Sequence, residues 1–256
     1  MLPGELIFSL RKVYQEFINT VKSEVSNSDS TIERTIFHIE KVVENSLILA
    51  DSLGLNDKAM VEIAALFHDI GRLWILLPEN SGINRTDHSL YSIEFLKSCA
   101  PFKELDDSVQ DIINQVIINH NKPDLPTKES EINLFYIKLL RDADKLDIWR
   151  ETSEYITHKS GKPNMAIRLN LSEKQVVTSS FCKVIVEGGI PVKSDLITFN
   201  DFVIFQMSWI FDLHYKKSFQ IVNQKQYIRH LYDSLPKNDN VIEIYRMIRI
   251  YIENRI

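Results

Sequence analysis

Between Ala64 and Arg72 an apolar segment delivers a histidine and an aspartate side by side and then meets a glycine, in the order Ala-Ala-Leu-Phe-His-Asp-Ile-Gly-Arg. The alanines and leucine permit close helix packing. Glycine is the residue type that ends a helix in the left-handed conformation, so His68 and Asp69 are expected on a last helical turn. A neutral imidazole beside an ionised carboxylate suits a divalent cation better than either alone. The same pair also fits a histidine favoured by the negative end of a helix dipole, with an exposed carboxylate as its neighbour. The rest of the chain separates the two readings.

Apolar residues at Leu6, Leu10, Val13, Tyr14, Phe17, Ile18 and Val21 recur at three-and-four spacing and predict an outer amphipathic helix to about Val25. The run Ser26 to Ser30 breaks it, and Ser30 with Glu33 offers a capping box for a second helix, which carries His38 and ends at Gly54. Asn56 is expected to cap the helix of the His-Asp pair. After a breaker region from Pro78 to Arg85, Thr86 or Asp87 opens a helix with His88 in its first turn, which must end before Pro101. A helix from about Ser108 to Asn119 delivers His120 at its far end, and a long helical pattern from Glu131 contains Arg141-Asp142-Ala143-Asp144-Lys145-Leu146-Asp147. Five helices thus each supply a candidate ligand or a pair.

Beyond Thr157 the pattern predicts a loop at Lys159 to Pro163, a helix capped by Ser172 and running to about Val186, and a Gly188-Gly189 turn. A strongly apolar helix opened by Asn200 or Asp201 follows, then helices at Gln226 to Leu235 and Val241 to Ile252. No repeat and no strand pattern interrupts this. The expected fold is all-α, with residues 1–157 as a helical metal-binding domain and 158–256 as a C-terminal helical extension packed on it.

Composition narrows the function classes. With 44% hydrophobic and 25% charged residues the chain is an ordinary globular one and not a disordered one. A net charge of -5 leaves no basic footprint for nucleic acid or an anionic membrane, so any attraction for an anionic substrate must be local. No apolar run is longer than Leu73 to Leu77, far short of the roughly 20 residues that span a bilayer. Cys99 and Cys182 fit no zinc or redox spacing, and the opening residues MLPGELIFSLRKVYQEF do not resemble a secretory signal. A cytoplasmic protein is expected.

In chain order the candidate donors are His38, His68, Asp69, His88, His120 and Asp144. Their contexts are HIEKVVENSLILADSLGL, AALFHDIGRL, DHSLYSIEFL, VIINHNKP and LLRDADKLD. This order of five contexts, from about Thr31 to Trp149, resembles the HD superfamily of metal-dependent phosphohydrolases. The resemblance implies that His38, His68, Asp69 and Asp144 hold a first metal. It also implies that His88 and His120 are the extra histidines of the two-metal branch, with Asp69 bridging the ions. Arg72 matches a position where members often carry a lysine or arginine that meets phosphate. The implied activity is hydrolysis of a phosphoester or phosphoanhydride, with nucleotides the implied substrate class. Some two-metal relatives with the same six ligands are instead mixed-valent di-iron oxygenases, and a non-catalytic regulatory HD protein is a third reading.

The residues support this chemistry on their own terms. Two divalent ions among two carboxylates and four neutral imidazoles leave a formal surplus of two positive charges, which a hydroxide and a phosphate oxygen would neutralise. A bound water would be acidified toward neutrality and serve as nucleophile, and without thiolates iron, manganese, cobalt, nickel and zinc all fit. Each donor has a plainer alternative. His38 fits a core histidine, His120 fits a helix-end cation, and the cation that Asp144 needs is either a metal or Arg141 one turn earlier. Asp147 fits a support for a ligand or an exposed carboxylate, while Lys122 and Lys145 fit solvated side chains. The aromatic stretch Ser208 to Tyr215 fits a core.

Overall fold

A computed structural model of the chain describes residues 4–25, 30–80, 87–157, 171–172, 174 and 176–256. Among them the regular structure is helical, apart from one isolated parallel bridge between Ser172 and Thr198. Two compact units, Met1–Asp144 and Lys145–Ile256, divide the chain inside a single helix, Glu131–Thr157.

The first unit contains α1 (Gly4–Glu24), α2 (Ser30–Ser52), α3 (Ala59–Phe67), α4 (Ile70–Trp74), α5 (His88–Ser98), α6 (Ala100–Lys103), α7 (Asp107–Asn119) and the start of α8 (Glu131–Thr157). The spacing read along α1 is the buried one, with Leu10, Tyr14, Phe17, Ile18 and Val21 all in the core. Tyr14 meets Phe67 edge-on at 6.1 Å between ring centroids, and Phe95 lies 4.5 Å from Phe17 and 6.1 Å from Phe67. This aromatic cluster anchors the residue directly before His68, and Phe67 is fully buried. α2 ends as expected at Gly54, whose φ of 71° lets its N–H reach Asp51 O at 3.0 Å while Leu55 N reaches Ala50 O at 3.1 Å, the two bonds that close a helix through a left-handed glycine.

The glycine of the His-Asp stretch departs from expectation. α3 closes at Phe67, His68 keeps helical angles, Asp69 breaks them at φ -111° and ψ 8°, and α4 begins at Ile70 with Gly71 inside it. Gly71 is needed for space and not for a left-handed turn, because a Cβ there would meet His88 O at 2.1 Å and Ser92 N at 2.7 Å. The corner is therefore a helix–helix junction pressed onto the start of α5. The cap of α3 also differs: Asp57, and not Asn56, accepts from Ala59 N at 3.0 Å.

The second unit holds the rest of α8 with α9 (Ser179–Val186), α10 (Phe199–Ser208), α11 (Lys216–Gln224), α12 (Tyr227–Ser234) and α13 (Asp239–Glu253). Every residue of α10 from Asn200 to Ser208 is buried, which makes it the central helix of the unit. Its start is a capping box of Thr198 and Asp201, so the helix is capped two residues before Asn200 and three before Asp201, the openings the sequence implied. The helix expected from Ser172 is shorter than read: Ser172 pairs as a bridge with Thr198, and helix begins at Ser179. α11 was not legible as a helix, and the aromatic stretch expected in the core continues α10 as a 3-10 turn, Trp209–Asp212, with Ile210 and Leu213 buried. Pro78–Asn80 forms a 3-10 turn, while the rest of the expected breaker to Arg85, the Lys159 to Pro163 loop, His158 and the side chain of Ser30 lie outside the described residues. No described helix is long and apolar enough to cross a membrane.

Candidate metal centre

Five helices bring the six donors to one side of the first unit. His38 lies inside α2, His68 and Asp69 form the corner between α3 and α4, and His88 opens α5. His120 caps α7, and Asp144 lies in α8. The local chain chooses how two of the rings present themselves. His68 Nδ1 lies 2.7 Å from Ala65 O, and His120 Nδ1 lies 2.6 Å from Ile117 O. A carbonyl only accepts, so Nδ1 carries the proton in both rings and each Nε2 is left with a lone pair. These bonds also satisfy carbonyls that the ends of α3 and α7 would otherwise leave open.

Asp69 is the hub. Its Oδ2 lies 3.7 Å from His38 Nε2 and 3.8 Å from His68 Nε2, and its Oδ1 lies 2.8 Å from His88 Nε2 and 3.6 Å from His120 Nε2. His38, His68 and Asp69 form one group of donor atoms, and Asp69, His88 and His120 form another, each with its atoms within 4.8 Å of one another. Donors on one ion, at about 2.1 Å from it, stand about 3–4 Å apart. Asp144 sits beside the first group, its Oδ1 3.1 Å from His38 Nε2. It is held from behind by Asn45, whose Nδ2 donates to Ala143 O at 3.2 Å.

The donor set fits a cation on its own chemistry. His68 Nε2 and Asp69 Oδ1 are buried with no hydrogen-bond partner, a costly arrangement that a cation in each group would relieve. The 2.8 Å approach of His88 to Asp69 likewise needs a proton or a cation between nitrogen and oxygen. Burial pushes the His88 ring below its usual range, against the pull of Asp69, which disfavours the charged ring.

Burial also pushes His68 down to about 4, with the Asp69 charge opposing it. Asp69 runs the other way: burial would raise it, but Arg72, His68 and His88 hold it well below the usual carboxylate range. Asp144 is likewise held low by its hydrogen bond to His38 in spite of burial. At neutral pH both carboxylates are therefore ionised and the buried His68 ring is neutral. Between about pH 6.5 and 4 the unfolded chain takes up a proton at His68 that the folded one refuses, so stability falls as pH falls through that window. The unfolding free energy of the metal-stripped protein, read from urea titrations, should drop across it by on the order of 3 kcal/mol, and His68→Gln should flatten the slope. A midpoint independent of pH there would contradict the buried neutral ring.

Other sequence candidates have their own partners. Arg72 Nε lies 2.6 Å from Asp69 Oδ2, so it reaches the hub carboxylate while its side chain remains half exposed. Arg141 is buried and donates to Asn119 O and Pro123 O, both at 3.2 Å, and to Lys122 O, so it stitches the loop after α7 to α8. Lys122 pairs with Asp87, where a solvated side chain was expected. In the second unit Asp147 is fully buried and pairs with Arg150 at 2.6 Å, and Lys145 pairs with Asp212 at 2.7 Å. His214 stands 3.6 Å from Asp212, and His230 meets the Ser153 hydroxyl.

Sequence reading missed Ser92, whose buried hydroxyl donates to His68 O at 2.8 Å and accepts from Gly71 N at 2.9 Å. Its one signal was its place four residues after His88, on the same helix face.

Residues 35–149 match the family model of the HD domain, a span that contains all six donors. That span is thus similar to the HD domain, and His38, His68, Asp69, His88 and His120 stand in clusters that fit a metal site of the HD superfamily. Neither a curated protein nor a solved structure matches the chain.

Proposed function

We propose that this protein is a phosphohydrolase with a dinuclear metal centre that cleaves a phosphoester or phosphoanhydride of a small molecule, with a nucleotide as substrate. The supporting observation is the division of Asp69: each of its oxygens faces its own pair of histidines. His38, His68 and Oδ2, with Asp144 alongside, would hold one ion, and His88, His120 and Oδ1 the other. Divalent ions, when held there, would supply Lewis acidity toward a water and a phosphoryl oxygen.

The protein's own groups prepare the rest. The neutral His68 ring offers its lone pair at working pH, and Nδ1 bonds to carbonyls fix the orientation of His68 and His120. Arg72 uses Nε on Asp69 and keeps its terminal nitrogens for a phosphate oxygen at the rim. The nitrogen and oxygen donors, without a thiolate, suit iron, manganese, cobalt, nickel or zinc. The nucleotide class is taken from the superfamily.

Metal analysis of the purified protein and an anaerobic phosphate-release assay over a nucleotide panel, with manganese or cobalt added, test this reading. Two ions per chain and phosphate release are expected. Iron-dependent oxygen consumption without phosphate release would instead favour the oxygenase. If neither assay turns over and Asp69→Ala leaves the cellular role intact, the protein is a non-catalytic regulator.

A further inference from the structure

Building on the dinuclear reading, we infer that Asp87 is a positioning residue for the His88 and His120 side of the centre, acting through a clip that it forms with Asn121 and Lys122. Asp87 directly precedes His88, and Asn121 and Lys122 directly follow His120. His88 and His120 stand at helix ends, where the backbone is least restrained, while His38 lies inside α2 and His68 sits in a corner bonded to Ser92. The clip joins those two ends.

Asp87 Oδ1 accepts from Ser89 N at 3.2 Å and from the Ser89 hydroxyl, and Asn121 Nδ2 lies 3.5 Å from the same oxygen. Oδ2 takes the ammonium group of Lys122. The same Asn121 nitrogen lies 3.3 Å from His88 Nε2, which in turn stands 3.4 Å from His120 Nε2. The clip therefore bridges the same gap that the two donor atoms bridge, one residue before His88 and one and two residues after His120. If it opens, the start of α5 and the end of α7 lose their ion-paired link, and the contact of Asn121 with His88 is left. The spacing of the two rings then rests on that contact and on the packing of α5 on α7, whereas His38 and His68 keep their own supports.

Both charged groups also complement helix dipoles, Asp87 at the start of α5 and Lys122 beyond the end of α7, so a plain capping role must be separated from the positioning role. Asp87→Asn separates them, because asparagine caps a helix as well as aspartate does but cannot hold the lysine as an ion pair. The full-length protein, stripped of metal, is titrated calorimetrically with Mn2+ alone. Wild type is expected to take two ions. In D87N one of the two sites should weaken by about 10–100-fold, the usual effect of losing a support behind a ligand, while the other site and the thermal midpoint stay near wild type.

Lys122→Met should weaken the same site, and the double variant should lose no more than either single, since both act on one link. Wild type with two ions and variants that titrate identically to it would overturn the clip and leave the dinuclear centre standing. An equal loss at both sites, or failure of both single variants to fold, marks the pair as structural and overturns it too. A wild type that takes a single ion overturns the dinuclear centre, and the clip with it.

Discussion

Asp69→Ala is expected to strip both ions at once and to lower kcat/KM for phosphate release by at least about 10³-fold, since metal-based stabilisation is worth several kcal/mol at 1.36 kcal/mol per decade. One side chain has this reach because its two oxygens serve two histidine pairs, His38 with His68 and His88 with His120. Asp69→Asn should do nearly the same while keeping the shape, because it removes the negative charge that would offset the two proposed cations. His88→Ala is the contrast: it should cost one ion and leave the other, since only the Oδ1 group loses a donor. Metal content per chain after gel filtration, measured beside the rate, decides the matter. An Asp69→Ala protein that still carries two ions would remove the bridging role and with it the proposed chemistry.

Gly71→Ala should be the most damaging single methyl group in the first unit. The added Cβ would lie 2.1 Å from His88 O and 2.7 Å from Ser92 N, both backbone atoms that move only if α5 moves. Overpacking usually costs about 1–3 kcal/mol, and with no flexible side chain to give way the upper end is expected here. The displacement acts directly on His88, so metal affinity should fall along with the urea midpoint. Ser92→Ala tests the same junction from the other side, since it leaves His68 O and Gly71 N buried without their bonds. An alanine at 71 with an unchanged midpoint and unchanged metal content would mean that α4 and α5 do not approach this closely.

Much of the fold is legible because helices are local. The three-and-four spacing of Leu10, Tyr14, Phe17, Ile18 and Val21 is the spacing of the buried face of α1, and Gly54 ends α2 through the left-handed angle that only a residue without Cβ adopts freely. The same logic misassigned Gly71. Its neighbours in sequence fit a helix stop, but the cause of the glycine lies in α5, on residues 88 and 92, and no local pattern carries it. α11 escaped for the opposite reason, since its buried residues Ser218, Phe219 and Val222 are too few to stand out between polar neighbours. Ser172 looked like a helix cap because serine suits one, yet its backbone bonds go to Ile197 O and Phe199 N, far along the chain.

By itself the chain of residues determined which candidate donors exist, their order, and the helix or helix end that carries each of the six, because donor chemistry and helical periodicity are properties of short stretches. Tertiary structure alone decided that the donors divide into two groups about the two oxygens of Asp69, that Asp144 stands beside His38, and that Asp87 reaches Lys122. Those relations join residues tens of positions apart. Their distances are set by how α2, α3, α5, α7 and α8 pack, and packing is a sum over side chains from every helix at once.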